Sequence, residues 1–285
     1  MTEKTTDARD KSGARTEEGA GTGRPPARKG GRGKGKDGGG AGPNPRLSPA
    51  RLQEARSLAQ KSGIPLSAAI RVVQGTATMA QTVQALQLRD RLESLTREGK
   101  LLKGLGNRVI DGTMPLEQAL AHTRLAQLKH ADEYMKCHFG AFAASGTPVG
   151  VATVGRKIVY GTVLEDQKFD VRLKPAEGDE LLLHKHDVKF YFDASRKKQV
   201  LKHVAWGGGE EPLAPDHLRF VKHRVDVKAA TYFAAMEAGR AIRWESVEGD
   251  QLRGRVVFLG RYEVILESPA GDRMVLLRHA VRRVE

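Results

Sequence analysis

Two stretches of the sequence each combine a cation with an aromatic residue and, further along, a cation with a histidine. They hold Lys168-Phe169 with Lys185-His186, and Arg261-Tyr262 with Arg278-His279. An aromatic ring stacks on nucleobases, a cation neutralises phosphate, and a neutral imidazole donates a hydrogen bond to a base carbonyl. Together these residue types predict a binding site for single-stranded nucleic acid.

The two stretches are copies of one sequence repeat. Residues 161–190 align without a gap with residues 254–283, an offset of 93, and nine of the thirty positions are identical. Gly161 and Gly254 stand where a strand of a small barrel bends, and the Gly-Asp pairs at 178–179 and 271–272 are typical of hairpin turns. Each copy therefore predicts a strongly bent sheet of five antiparallel strands.

The two copies resemble the Sm-like family, and its Hfq-type members in particular. The first family motif occurs as VYGTVLEDQKFDV and LRGRVVFLGRYEV, and the second as LHKHDV and LRHAV. The resemblance covers residues 146–192 and 231–285 and implies, in each copy, a short helix followed by a five-stranded antiparallel small barrel. It also implies that the eight residues above form uridine pockets for single-stranded RNA. We therefore expect an RNA chaperone or post-transcriptional regulator.

Departures from the family pattern affect the expected specificity. The acidic residue usual before the polar-aromatic pair is Gln167 in one copy and Gly260 in the other. Lys168 and Arg261 replace a neutral glutamine, so we expect phosphate contact to be favoured over uracil discrimination. Two alternatives stay open: each aromatic could fill a barrel core, and each histidine could make only a strand hydrogen bond or brace a hairpin.

Composition favours a polyanionic partner. The formal net charge is +14, and phosphates neutralised by Lys and Arg release counterions. Residues 1–47 contain 12 glycines, and the stretch from Arg24 to Lys36 carries six cations and no acid, which predicts a disordered basic tail. This tail is either a phosphate-attracting segment or a solubilising linker.

No apolar run reaches 18 residues and no signal peptide is evident, so we expect a cytoplasmic protein without a membrane partner.

Catalytic and metal chemistry find little support in the sequence. The single cysteine, Cys137, falls in a predicted amphipathic helix and cannot form an internal disulfide. His184 and His186 lie two apart on a predicted strand, but no third ligand has suitable spacing. No Ser-His-Asp spacing, phosphate loop or carboxylate pair stands out. We expect neither an enzyme nor a cofactor or metal site.

Residues 48–130 predict a helical region that begins with Ser48 as N-cap and Pro49 as the first helical residue. Within it RVVQGT at 71–76 recurs as RVIDGT at 108–113, which indicates two short helical repeats. Residues 57–75 resemble a helix-turn-helix with Gly63 in the turn. The alternative function is therefore a DNA-binding transcriptional regulator whose Sm-like folds serve as an oligomerisation platform. A purely structural adaptor is a third option.

The predicted organisation is α+β. The tail and the helical region precede a first Sm-like domain at 131–193, a linker at 194–227 and a second Sm-like domain at 228–285. Predicted short helices at 134–144 and 232–240 open the two domains. Open edge strands predict a homo-oligomer, in which three chains form a ring of six folds. Unlike edges, Phe190-Tyr191-Phe192 in one copy and Arg282-Arg283-Val284-Glu285 in the other, favour alternating pairing.

Overall fold

The structure is a computed structural model of the chain and describes residues 47–208, 212–214 and 216–285. The predicted tail lies outside the described residues, apart from Leu47. Helices come first and an antiparallel sheet follows, so the predicted α+β class is confirmed. The described residues divide into two compact units, one within residues 47–73 and the other within Gln74–Glu285.

Two helices form the described part of the first unit, α1 (Pro49–Ser62) and α2 (Leu66–Val73). The Ser48 hydroxyl accepts the Arg51 backbone N–H at 3.4 Å, which caps α1 as predicted. Gly63 ends α1 at φ +66°, a left-handed conformation that favours glycine. The two helices with Gly63 between them have the predicted helix-turn-helix order.

The second unit begins with five helices. They are α3 (Met79–Arg97), α4 (Lys103–Ile110), α5 (Leu116–His130), α6 (Asp132–Met135) and α7 (Phe139–Ser145). Thr78 and Gln81 form a capping box at the start of α3. A small apolar core unites α3, α4 and α5 around Leu92, Val109 and Ala119. Helix α4 spans the residues of α2 displaced by 37, the same offset that separates the RVVQGT and RVIDGT motifs.

Eleven strands of the described chain form one antiparallel sheet. They are β1 (Pro148–Thr153), β2 (Lys157–Asp166), β3 (Asp170–Pro175), β4 (Leu181–His184), β5 (Val188–Asp193), β6 (Val204–Ala205), β7 (Ala241–Ser246), β8 (Gln251–Leu259), β9 (Glu263–Glu267), β10 (Arg273–Leu277) and β11 (Val281–Val284). Helices α8 (Lys197–Leu201) and α9 (Ala229–Glu237) precede β6 and β7. The strand order is β11-β7-β8-β9-β10-β5-β1-β2-β3-β4, with β6 paired to β8 off this path.

The strands of the two repeats are separated by the same 93 residues as the two sequence copies. Strands β1, β3 and β5 start 93 residues before β7, β9 and β11, and the 3-10 turns Lys185–Asp187 and Arg278–Ala280 keep the same spacing. A Cβ at Gly161 would lie 2.5 Å from the Lys174 carbonyl oxygen, and one at Gly254 would lie 2.7 Å from that of Glu267. Both positions therefore require glycine because a neighbouring strand passes so closely.

Two separate small barrels are not confirmed, because the repeats share one open sheet. Strand β10 of the second repeat pairs with β5 of the first, with Val275 opposite Tyr191 and Leu276 opposite Phe190. This pairing satisfies backbone groups that two isolated domains would leave exposed at their edges. Within the described ranges, the outer edges of β4 and β11 meet no further strand.

A buried ion cluster joins the two repeats. The Lys189 ammonium on β5 lies 2.5 Å from Glu248 Oε2 and 2.5 Å from Asp250 Oδ2, and all three side chains are fully buried. The other Glu248 oxygen accepts the backbone N–H groups of Gly155 and Leu213 at 2.8 and 2.9 Å. The Glu248 carboxylate of the second repeat therefore binds both the first repeat and the segment between the repeats.

A second buried carboxylate, Glu263 on β9, also binds the first repeat. It accepts hydrogen bonds from the Cys137 thiol, the Tyr191 hydroxyl and the backbone N–H of His138 at 2.7–2.9 Å. Burial raises the pKa of the Glu263 carboxyl, but a contact of 2.9 Å with the His138 imidazole, together with these hydrogen bonds, outweighs burial and holds the pKa below its ordinary value. The carboxylate therefore stays charged and fixes the register of the junction.

Replacing Lys189 with alanine should destabilise the second unit strongly. Two carboxylates would then be buried without their cation, which costs about 3–5 kcal/mol of unfolding free energy. Urea unfolding followed by fluorescence of the buried Trp244 measures the loss. Lys198→Ala, at an exposed lysine of α8, is the matched control and should change little. Equal stability of the two variants would contradict the junction role of Lys189.

Candidate nucleic-acid interface

The structure places the predicted site residues at equivalent positions of the two repeats. Each cation-aromatic pair lies in the loop between the second and third strands, and each cation-histidine pair lies in the 3-10 turn before the fifth strand. A backbone hydrogen bond of 2.8 Å joins loop and turn in both repeats, from Lys185 N to the Phe169 carbonyl and from Arg278 N to the Tyr262 carbonyl. The sequence repeat is therefore also a geometric one.

The two aromatic side chains are surface residues. Phe169 is 52 % exposed and Tyr262 is 49 % exposed, so neither fills a barrel core. The Lys168 ammonium lies 5.0 Å from the centre of the Phe169 ring, and the Arg261 guanidinium lies 5.2 Å from that of Tyr262. Each ring therefore presents a flat apolar surface beside a positive charge, which suits a base and its phosphate.

The second cation of each copy braces its own loop. The Lys185 ammonium lies 2.6 Å from Asp166 Oδ1 and donates to the Gln167 carbonyl. The Arg278 guanidinium donates to the carbonyls of Gly260 and Arg261 at 3.3 and 3.0 Å. These contacts shape the loops that carry Phe169 and Tyr262, while phosphate contact by Lys185 or Arg278 stays a prediction.

The two predicted histidines, 93 residues apart in sequence, meet at the junction. The rings of His186 and His279 are perpendicular, with centres 4.9 Å apart. Burial lowers the pKa of His186 to about 4, assisted by the nearby Arg224 guanidinium, and lowers that of His279 to about 3. Both imidazoles are therefore neutral near pH 7 and keep one donor and one acceptor each. His279 Nε2 lies 3.1 Å from the Val188 carbonyl, so this histidine makes the strand hydrogen bond considered as an alternative.

Two adjoining clefts contain all eight predicted residues. The first, which we call the inner cleft, has a volume of about 390 Å³ and lies between the repeats. Its lining includes Lys168, Phe169, Lys185, His186, Tyr262 and His279. The second, which we call the strap cleft, has a volume of about 420 Å³ and includes Arg261 and Arg278 in addition to His186, Tyr262 and His279.

The segment between the repeats, residues 194–227, contributes side chains to the strap cleft. The sequence predicted only a linker there. The described residues of the segment contain α8, β6 and three 3-10 turns, Ala194–Arg196, His217–Arg219 and Val221–His223. Leu218 is fully buried in the main core, and the Arg219 guanidinium forms an ion pair with Asp187. The stretch DHLRFVKHRVDV at 216–227, in which apolar residues alternate with cations, was the available signal for a packed segment.

Cys137 lies between α6 and α7 rather than in the predicted amphipathic helix. Its thiol donates to Glu263, and burial raises the pKa of the thiol well above its ordinary value, so the thiolate is strongly disfavoured.

His184 ends β4, and its ring centre lies 5.0 Å from that of His186. Within residues 47–208, 212–214 and 216–285, no group of three or more His, Cys, Asp or Glu side chains is placed to hold a metal ion. Across the same ranges, every helix is too short or too polar to cross a membrane.

Comparisons of the chain with protein-family models, with curated proteins and with solved structures give no match. The relation to the Sm-like family stays a prediction from the quoted motifs.

The buried His279 should make stability depend on pH. Its pKa is about 3 in the folded protein and about 6.5 in the unfolded chain, so the unfolded chain binds more protons between these values. The stabilisation is complete above about pH 6.5 and is lost as the pH falls, by up to about 1.4 kcal/mol per pH unit for this histidine. His186, whose pKa is about 4, contributes in the same direction. The free energy of unfolding, measured with urea between about pH 7 and pH 5, should show this dependence on pH. Carboxyl groups with ordinary pKa values titrate below this range and do not obscure it.

The matched variants are His279→Gln and His122→Gln, the latter at an exposed histidine of α5. The slope should shrink in the first and persist in the second. A slope unchanged in His279→Gln would show that protonation of other groups carries the pH dependence.

Proposed function

We propose that the chain binds single-stranded RNA in the inner cleft between two Sm-like repeats. The observation that carries this proposal is the convergence of one half-exposed aromatic side chain and one neutral histidine from each repeat on a single cleft. The helix and five consecutive strands of each repeat support the Sm-like assignment. A role as an RNA chaperone or post-transcriptional regulator follows from the family resemblance.

The chemistry of the cleft suits an unpaired base. Phe169 and Tyr262 offer ring faces for stacking, which is available only to bases that have left a helical stack. The neutral imidazole of His186 donates to a carbonyl oxygen of the base, since the N–H of His279 already bonds the Val188 carbonyl, and Lys168 neutralises a phosphate at the rim. Because Lys168 and Arg261 carry charge, we expect strong binding with weak preference for uridine.

The DNA-binding alternative depends on the first unit. Its α2 has the position of a recognition helix, but its sequence LSAAIRVV contains Arg71 as the single cation. Readers of the major groove present several polar or cationic side chains to base edges. The observations therefore favour RNA.

A filter-binding comparison of poly-U and poly-A RNA with duplex DNA at two salt concentrations separates the two functions. Preference for RNA that survives high salt supports the inner cleft, since stacking is not screened by salt. Preference for duplex DNA would support the helix-turn-helix. Loss of all preference at high salt would indicate attachment by charge alone.

Replacing Phe169 and Tyr262 with alanine together should weaken RNA binding. Loss of stacking costs about 1–3 kcal/mol per base. Trp206→Ala is the matched control, because Trp206 is 43 % exposed and belongs to neither cleft. Fluorescence anisotropy with labelled poly-U, after circular dichroism has verified folding, measures the effect. Equal affinity in the double variant and the wild type would refute the pocket.

We also propose that three chains close into a ring of six repeats. Strand β10 of the second repeat is buried by pairing with β5, whereas the equivalent β4 presents Leu181 at 36 % and Leu182 at 60 % exposure. Strand β11, equivalent to β5, offers a second open edge. Pairing of β4 with β11 of another chain would cover these leucines and repeat the junction already present within one chain.

Leu182→Arg should therefore break the ring. A charged residue on the β4 edge cannot be buried in a strand pair at low cost, so the variant should run as a monomer. Light scattering on the full chain should give the mass of three protomers for the wild type and one for the variant. Leu102→Arg, at a leucine of the helical region that is 46 % exposed, should leave the mass unchanged. A monomeric wild type at micromolar concentration would exclude the ring.

A further inference from the structure

Residues 216–228, which we call the strap, are fixed at both ends. Near its start, Arg219 pairs with Asp187 of the first repeat, and Arg224 Nε donates to the Leu218 carbonyl at 2.6 Å. At its far end, the Val227 carbonyl accepts a hydrogen bond of 3.0 Å from the Arg278 guanidinium of the second repeat. The strap is therefore a defined wall rather than a loose connection.

This wall faces the strap cleft with apolar side chains. Val221 is 76 % exposed and Val225 is 45 % exposed, and both line the cleft together with Tyr262. Exposed aliphatic side chains beside an exposed aromatic ring provide surface for a flat apolar group to cover.

The remaining lining residues make the strap cleft positive. Three arginines, Arg224, Arg261 and Arg278, outnumber its one carboxylate, Asp226, for a formal charge of +2. His186 and His279 add no charge near pH 7, because their pKa values lie far below it. Several arginine N–H groups donate to backbone carbonyls, but each guanidinium has five donors and keeps its charge. Positive charge beside an apolar surface suits a nucleotide.

The strap cleft and the inner cleft are neighbours. Tyr262, His186 and His279 line both of them. A ligand that occupies one cleft therefore passes these three side chains to reach the other.

We propose that the strap cleft holds the nucleotide adjacent to the one in the inner cleft, so that the protein recognises a dinucleotide step of single-stranded RNA. The base packs between Tyr262 and the strap valines, and the linking phosphate lies near Arg261. This inference rests on the proposed RNA binding and adds to it a second position, formed by the strap together with residues of both repeats.

The test compares uridine oligonucleotides of increasing length as competitors of labelled poly-U. For the full-length wild type, a dinucleotide should bind about tenfold more tightly than a mononucleotide, since the second base adds its own stacking contact. The double variant Val221→Asp with Val225→Asp replaces the apolar surface beneath the base with two carboxylates, which also lower the positive charge of the cleft. It should bind both competitors equally and keep the mononucleotide affinity of the wild type.

Two further variants keep the outcome interpretable. Val225→Ser removes apolar surface without adding charge and should lose part of the dinucleotide advantage even if the double variant folds poorly. Val83→Asp, at an exposed valine of α3, makes one such valine-to-aspartate change away from both clefts and should keep the full advantage.

The possible failures are distinguishable. A dinucleotide advantage that persists in a folded double variant, with poly-U binding still dependent on Phe169, overturns the strap position alone. Failure of every RNA to bind the wild type overturns both this inference and the proposed function.

Discussion

The architecture of the second unit depends on burying the Lys189 ammonium between two carboxylates. Removing three charges from water is tolerated only because the ions lie in contact and Glu248 accepts further backbone hydrogen bonds. Any sliding of one repeat against the other would separate these groups. The inner cleft takes one wall from each repeat, so its width is set by the same contacts.

Much of the local structure could be predicted from the repeat. Hairpin turns at Gly178 and Gly271, and strands that need glycine at 161 and 254, follow from local backbone geometry, which short motifs encode. The pairing of β5 with β10 could not be predicted, because it joins strands far apart in sequence and depends on complementary edges. Lys189 aligns with Arg282, which is exposed, so the repeat itself concealed the buried role of this lysine.

The candidate site was predictable to a similar degree. Residue types identified the two half-exposed aromatics, but no sequence pattern indicated that His186 and His279 would meet, or that Lys185 and Arg278 would bind loop carbonyls. Both facts depend on the junction. The strap was missed because its contacts reach back to the 3-10 turn at Lys185–Asp187, and such contacts leave no periodic pattern.

The asymmetry of the inner cleft has a genetic consequence. When a chain with one repeat assembles with identical copies, every mutation changes all positions of the assembly at once. Here the opposing walls are encoded by separate codons, so selection can alter Phe169 without altering Tyr262. The presence of both repeats in one chain thereby releases the two halves of the candidate site from the symmetry that identical subunits impose. The exchange of lysine for arginine and of phenylalanine for tyrosine between the copies is divergence of this kind.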